Sequence, residues 1–217
     1  MANTLEIVFV IDSSGSMYGS ESDIIGGFNS MIQEQRKNGF EAYVSVVLFS
    51  SSSEVLYDRV KLGDVKTMTA RDYITGGSTA LLDALGNAID HIKTIHKYAR
   101  KEDVPTKTMF VVMTDGEENA SRDYNNKQIR RLVKRQQEKY HWEFIFMGAD
   151  IDAFASARRI GIRQSRTVEF TKDSDCVEEC YRAVGRTMRF MSAAEDNEEI
   201  EDDVFSDLLQ LFKKEDD

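Results

Sequence analysis

The fold is decided by a stretch near the start of the chain, LEIVFVIDSSGS, which covers residues 5–16. Its first part, residues 5–11, is apolar at nearly every position, as is typical of a strand buried on both faces of a parallel sheet. Its second part places one carboxylate and two hydroxyls, those of Asp12, Ser14 and Ser16, at alternate positions of a tight loop. The stretch therefore predicts a buried strand that ends in a loop rich in oxygen atoms.

Five further runs rich in β-branched and aromatic residues predict the remaining strands, at residues 42–49, 54–62, 108–114, 142–148 and 167–170. Between and after the strands, apolar residues recur at helical spacing within residues 24–32, 81–92, 129–133, 151–160 and 177–191. This alternation predicts an α/β fold with a doubly wound, mainly parallel six-stranded sheet and helices on both faces. Because only residues 50–53 separate the second and third strands, these two must be antiparallel, and one of them forms an edge.

The chain has 217 residues, which suits one domain of ordinary size. Its net charge of −10 is concentrated at the end, because residues 195–217 hold 11 acidic and 2 basic side chains. We predict a domain over residues 1–194 and an acidic tail over residues 195–217. Residues 204–212 of the tail could form one amphipathic helical face, either as a last helix that packs on the domain or as a segment that docks on a partner.

Charge and hydropathy exclude several classes of function. Outside the tail, 26 basic side chains nearly balance 27 acidic ones, whereas nucleic-acid and anionic-membrane binders need a positive face. No apolar run approaches the ~18 residues that span a bilayer. The first basic residue is Arg36, whereas a secretory leader has a basic start before its apolar core. We therefore expect a cytoplasmic protein that binds neither nucleic acid nor membranes.

Two smaller features each allow two interpretations. Cys176 and Cys180 would be neighbours on a helix, either as core residues or as half of a metal or redox site. The predicted helix over residues 127–139 carries six basic side chains and forms either a solvated face or a docking surface for an acidic partner.

Two further loops supply oxygen atoms of the kind found in residues 12–16. Gly76-Gly77-Ser78-Thr79 leads into the second predicted helix, and Thr114-Asp115-Gly116 ends the fourth predicted strand. In a doubly wound sheet the strands on either side of the order reversal are adjacent, and their carboxyl ends open into one crevice. A site made of carboxylate and hydroxyl oxygens suits Mg²⁺ or Mn²⁺ rather than zinc. The competing interpretation is a set of ordinary turns and helix caps, with Ser16 or Ser20 as a cap.

The pattern Asp12-x-Ser14-x-Ser16, followed by Thr79 and Asp115, resembles the metal-ion-dependent adhesion site of von Willebrand factor type A domains. The resemblance covers nearly all of the chain before the acidic tail and includes every ligand position of the family's site. It implies that Ser14, Ser16 and Thr79 bind Mg²⁺ or Mn²⁺ directly, while Asp12 and Asp115 act directly or through water. It also implies an intracellular bacterial member of the family, working beside an ATP-driven remodelling machine, a metal-chelation complex or a stress-response complex.

The expected function is therefore recognition of a protein rather than catalysis. Three neutral hydroxyls leave most of the charge of a divalent ion unbalanced, so that an Asp or Glu of a partner can complete the coordination. Nucleotide-binding and serine-hydrolase motifs are missing from the sequence. Two alternatives stay open: a metal-dependent phosphohydrolase that uses Asp12 or Asp115 as nucleophile or base, and a scaffold or regulatory protein that acts through residues 195–217.

Overall fold

The computed structural model of the chain describes residues 4–149 and 151–194. In this part of the chain, six strands and five α-helices alternate as the sequence predicts. The strands are β1 (Leu5–Asp12), β2 (Ala42–Phe49), β3 (Ser53–Lys61), β4 (Lys107–Thr114), β5 (Glu143–Ala149) and β6 (Thr167–Phe170). The α-helices are α1 (Glu21–Asn38), α2 (Leu81–Tyr98), α3 (Asn126–Tyr140), α4 (Ala153–Ile160) and α5 (Ser174–Ala193). The predicted strands differ from these bounds by at most one residue at each end.

The six strands form one sheet in the order β3-β2-β1-β4-β5-β6. β1 pairs in parallel with both β2 and β4, and the parallel pattern continues through β5 to β6. Only β3 among these strands is antiparallel, and it lies at the edge beside β2. The predicted fold, a doubly wound and mainly parallel sheet with one antiparallel edge strand, is therefore confirmed.

Helices cover both faces of the sheet, which explains why β1 is apolar at positions that point to either side. Ile7, Phe9 and Ile11 pack in a core beneath α1 and α5. Val8 and Val10 pack in a second core beneath α2, α3 and α4. Every residue of β1 is at most 1% exposed, so the strand carries no solvent-facing positions that would require polar side chains.

The strand order reverses between β1 and β4, and this places the ends of the two strands side by side. Asp12 ends β1 and Thr114 ends β4. The loop before α2 lies against the loop after β1, because the Gly15 N–H donates to the Gly77 carbonyl at 3.1 Å. The Tyr73 hydroxyl also donates to the Asp12 carbonyl at 2.5 Å. Three segments that are far apart in sequence thus meet at one edge of the sheet.

The structure describes the domain up to residue 194. α5 ends at Ala193, and residue 194 is the last described residue. The acidic tail over residues 195–217 and its amphipathic segment over residues 204–212 lie outside the described residues, so that division stays a prediction. Among the described residues, no helix combines the length and the apolar composition that a membrane crossing requires.

Candidate metal centre

The loop after β1 turns three side chains toward one point. The Ser14 N–H donates to Asp12 Oδ1 at 2.7 Å, a turn in which an aspartate side chain bonds the backbone two residues on. The hydroxyl oxygens of Ser14 and Ser16 lie 3.0 Å apart. Ser13 points elsewhere, because its hydroxyl donates to the Phe49 carbonyl of β2 at 3.0 Å. The alternation of the sequence therefore separates two site hydroxyls from one hydroxyl that holds the loop to the sheet.

The loop after β4 joins this group through its carboxylate. The Ser16 hydroxyl donates to Asp115 Oδ1 at 2.6 Å. The Thr114 hydroxyl donates to Asp12 Oδ2 at 2.5 Å. Both oxygen atoms of the Asp12 carboxylate thus accept a hydrogen bond, Oδ1 from the Ser14 N–H and Oδ2 from Thr114. Asp12 and Asp115 are both buried, and both are thus fixed at the crevice between β1 and β4.

Thr79 reaches the same place from the loop before α2. Its hydroxyl faces Gly116, since a Cβ atom built on Gly116 would lie 2.8 Å from Thr79 Oγ1 and 3.4 Å from Ser16 Oγ. Its backbone is held by Asn119, whose side-chain oxygen accepts from the Thr79 N–H and whose N–H donates to the Thr79 carbonyl, each at 3.0 Å. The structure therefore brings together all five residues that the sequence singles out.

Burial dominates the electrostatics of this group. Burial raises the pKa of Asp12 above its ordinary value, while hydrogen bonds from Thr114 and Ser14 lower it and the nearby Asp115 adds a smaller increase. Two buried carboxylates in one crevice repel each other, so a cation beside them relieves both the repulsion and the cost of burial. The crevice is thus suited to a positive charge.

Lys172 already brings a positive charge to this edge. Its ammonium lies 3.0 Å from Asp115 Oδ2 and 3.3 Å from the Ser16 carbonyl. Sequence reasoning includes Thr114 only as part of the segment Thr114-Asp115-Gly116, and it does not single out Lys172 or Asn119, because neither belongs to a spaced motif. The one usable signal for Asn119 is that it follows Asp115 by four residues in the loop after β4.

The donor set fits a hard divalent cation. It consists of two carboxylates and three hydroxyls, and Mg²⁺ and Mn²⁺ prefer oxygen ligands of this kind. Among residues 4–149 and 151–194, no group of three or more His, Cys, Asp or Glu residues is placed so that it could hold a metal ion, so any such centre depends on the hydroxyl oxygens. Gly116 leaves open a space beside Thr79 and Ser16 that a Cβ atom would fill. That these residues bind a metal stays a prediction.

The two cysteines lie on α5, close to the same edge. Cys180 is fully buried in the core beneath α1 and α5. Cys176 is only partly buried and stands in the first turn of α5, where its N–H donates to Asp173 Oδ1 at 2.9 Å. Core packing therefore describes Cys180, whereas Cys176 is accessible at a helix N-terminus.

We expect Cys176 to react as a thiolate near neutral pH. A hydrogen bond with Cys180 lowers the pKa of Cys176 to about 6, against the opposing effect of burial, and the pKa of Cys180 is raised well above its ordinary value. The rate of alkylation by iodoacetamide at Cys176, followed by mass spectrometry, should rise with pH to a plateau with its midpoint near 6. Cys180→Ala should move the midpoint upward, and a midpoint near the ordinary thiol value of about 8.5 in the unmutated chain would contradict the prediction.

Comparison with known proteins identifies the same architecture. A family model described as von Willebrand factor type A domain matches residues 6–181. A search of curated proteins finds no match. The matched range includes every residue of the candidate metal centre.

Several solved structures share the fold. The PilB minor pilin from Streptococcus sanguinis superposes with a TM-score of 0.64 at 12% identity, covering 87% of this chain and 62% of the pilin chain. Proximal thread matrix protein 1 from the mussel byssus gives 0.59 at 18% identity, with 86% and 46% covered. The von Willebrand factor type A protein from Catenulispora acidiphila gives 0.56 at 16% identity, with 85% and 42% covered. This chain thus spans less than two thirds of each of those chains, and at such identities the likeness concerns the fold alone.

Proposed function

This chain belongs to the von Willebrand factor type A domain family, and from that premise we propose that it is a non-enzymatic module that binds a protein partner through a divalent metal ion. The observation that carries the proposal is the convergence of Asp12, Ser14, Ser16, Thr79 and Asp115 at the crevice between β1 and β4. Protein interaction is the typical role of the family. The metal and the partner's carboxylate are the parts that we add.

In this proposal the metal is Mg²⁺ or Mn²⁺. Ser14, Ser16 and Thr79 bind it directly, while Asp12 and Asp115 bind it directly or through water. Because the hydroxyl ligands are neutral, the bound ion keeps enough positive charge to attract an Asp or Glu side chain of the partner. The protein supplies the fixed ligands and leaves the last position for the partner.

The environment of Asp12 favours binding over catalysis. A phosphohydrolase would need a carboxylate that can reach the substrate, but Asp12 is 0% exposed. Both of its side-chain oxygens accept hydrogen bonds, one from the Ser14 N–H and one from the Thr114 hydroxyl. A carboxylate held in this way is suited to a fixed position beside a cation rather than to attack on phosphorus.

Two exposed apolar side chains support a protein as the partner. Tyr18 is 83% exposed on the loop after β1, and Ile74 is 72% exposed on the loop before α2. These loops lie side by side, since the Gly76 N–H donates to the Ser13 carbonyl at 2.8 Å. Large apolar side chains, aromatic ones above all, are enriched where proteins contact each other. We propose a cytoplasmic partner of this kind, such as an ATP-driven remodelling machine or a stress-response complex.

Capture of the partner tests the proposal. The full chain, immobilised and exposed to an extract of its source cells, should retain a partner with Mg²⁺ present and lose it with a chelator, as read by mass spectrometry. Thr79→Ala should lose the same partner. Tyr18→Ser combined with Ile74→Ser should weaken capture by about tenfold, while the response of the protein's melting temperature to Mg²⁺ stays unchanged. Equal capture with and without chelator would contradict the proposal.

A catalytic alternative gives a different result. Turnover of a generic phosphoester by the purified chain, lost in Asp12→Asn, would favour a metal-dependent phosphohydrolase instead. We expect no turnover above that of a chelated sample.

A further inference from the structure

Lys172 lies on the loop between β6 and α5, and its side chain extends to the candidate metal centre. Its ammonium is 3.0 Å from Asp115 Oδ2 and donates to the Ser16 carbonyl at 3.3 Å. The Asp115 side chain is 0% exposed and the Lys172 side chain 30% exposed. The pair therefore joins a buried acceptor to a donor that keeps one side toward solvent.

We propose that Lys172 sets the metal affinity of this centre by competing with the divalent cation for Asp115. The inference rests on the proposed function, since it assumes that the five oxygen-bearing side chains bind a metal. It goes further, because it assigns a role to a residue outside the ligand set. In this role Lys172 is an affinity-determining residue and not a ligand.

The competition follows from the charges and their burial. Both the ammonium and a divalent cation are attracted to the Asp115 carboxylate, and each repels the other at short range. Salt screens such a partly buried group only weakly. The two cations therefore cannot both interact at full strength with one buried carboxylate.

Ser16 couples the two cations further. Its hydroxyl donates to Asp115 Oδ1 at 2.6 Å, while its carbonyl accepts from Lys172. Binding of a metal by the Ser16 oxygen requires that the hydroxyl turn its proton away from the position that the metal takes. A movement of Ser16 or Asp115 on metal binding therefore changes the contacts of the Lys172 ammonium with the Ser16 carbonyl and with Asp115 Oδ2.

The Lys172 side chain can move away from Asp115 without a change in the fold. Four methylene groups separate its ammonium from the backbone, and the ammonium is a strongly hydrated point charge. Because the side chain is already 30% exposed, it can withdraw toward solvent when a metal binds. The apparent metal affinity is then reduced by the fraction of molecules in which Lys172 holds Asp115.

The experiment compares two lysine variants of the full chain that have the same net charge. Lys172→Met removes the ammonium from the centre, and Lys134→Met removes one from the exposed side of α3. Isothermal titration with Mn²⁺ and with Mg²⁺ should give about tenfold tighter binding for Lys172→Met than for the unmutated chain. Lys134→Met should bind as the unmutated chain does, and Lys172→Arg should stay within a few-fold of it.

Thermal unfolding gives a second reading of the same coupling. In the presence of chelator, Lys172→Met should melt at a lower temperature than Lys134→Met, because Asp115 loses an ion pair. With saturating Mn²⁺ this difference should shrink, since the metal then neutralises the carboxylate. In Lys172→Met, the stability lost in the absence of metal and the metal affinity gained both measure the coupling free energy between Lys172 and the metal.

The outcomes separate the two proposals. If neither the unmutated chain nor Lys172→Met binds Mn²⁺ or Mg²⁺, the proposed metal-dependent function fails. If the unmutated chain binds metal and Lys172→Met binds it equally or more weakly, only the role of Lys172 fails. If Lys134→Met tightens binding as much as Lys172→Met, the effect is one of net charge and the proposed competition at Asp115 is wrong.

Discussion

Mg²⁺ at 100 times its dissociation constant is expected to raise the melting temperature of the unmutated chain by roughly 5–11 °C and to leave that of Thr79→Val unchanged. A ligand that binds only the folded state at this ratio adds about 2.7 kcal/mol of stability. Valine keeps the shape of Thr79 but lacks the hydroxyl that faces Gly116. Asn119 bonds the backbone N–H and carbonyl of Thr79 and not its side chain. The valine variant should therefore keep the loop in place.

The neighbouring residue supplies the control. Ser78 is exposed and its contact to Ser51 uses the backbone N–H of Ser78, so Ser78→Ala should respond to Mg²⁺ as the unmutated chain does. Differential scanning calorimetry with Mg²⁺ and with chelator measures both variants. Equal melting temperatures of the unmutated chain under the two conditions would count against a metal centre.

Gly116→Ala is expected to lower metal affinity by 100-fold or more, which corresponds to about 2.7 kcal/mol. The added Cβ would lie 2.8 Å from Thr79 Oγ1, closer than such atoms approach without a shift. The backbone itself tolerates alanine, because Gly116 is not among the glycines with positive φ. The Thr79 hydroxyl should therefore shift away from the position in which we propose that it binds the metal.

Gly63 provides a control that separates the loss of metal affinity in Gly116→Ala from any general effect of replacing a glycine by alanine. Gly63 has nothing within 4 Å of an added Cβ and no positive φ, so Gly63→Ala should bind Mn²⁺ with unchanged affinity. Gly116→Ala itself should still fold, with a loss of about 1–3 kcal/mol from crowding. Calorimetric titration with Mn²⁺ gives the affinities. Full affinity in Gly116→Ala would mean that the Thr79 hydroxyl is not a ligand.

Most of the fold could be predicted because its signals are patterns that extend over many residues. β1 is apolar toward both faces, which indicates a central parallel strand, and the structure confirms this position. The short connection over residues 50–53 requires an antiparallel pair, and β3 is that strand. The convergence of the loops after β1 and β4 followed from the same topology, since a doubly wound sheet brings such loops together.

Single contacts between distant residues could not be predicted in this way. Lys172 carries no motif, and its approach to Asp115 depends on where the short strand β6 delivers the following loop. Arg166 is fully buried beside Glu143, with its Nε 3.0 Å from Glu143 Oε2. A charged residue in a sequence is ordinarily expected at the surface. The hydropathy pattern therefore does not indicate that Arg166 and Glu143 form a buried ion pair.

The central position of β1 affects how the domain fluctuates. Amide exchange is slowest where hydrogen bonds open only with the entire structure, and a central strand that pairs on both sides belongs to that class. Asp12, at the end of this strand, thus stays in place through openings that release only an edge such as β3. Lys172 lies on a loop and its side chain is 30% exposed, so much smaller fluctuations suffice to release its ammonium. We therefore expect the Asp12 carboxylate to keep its position while the Lys172 ammonium leaves and returns.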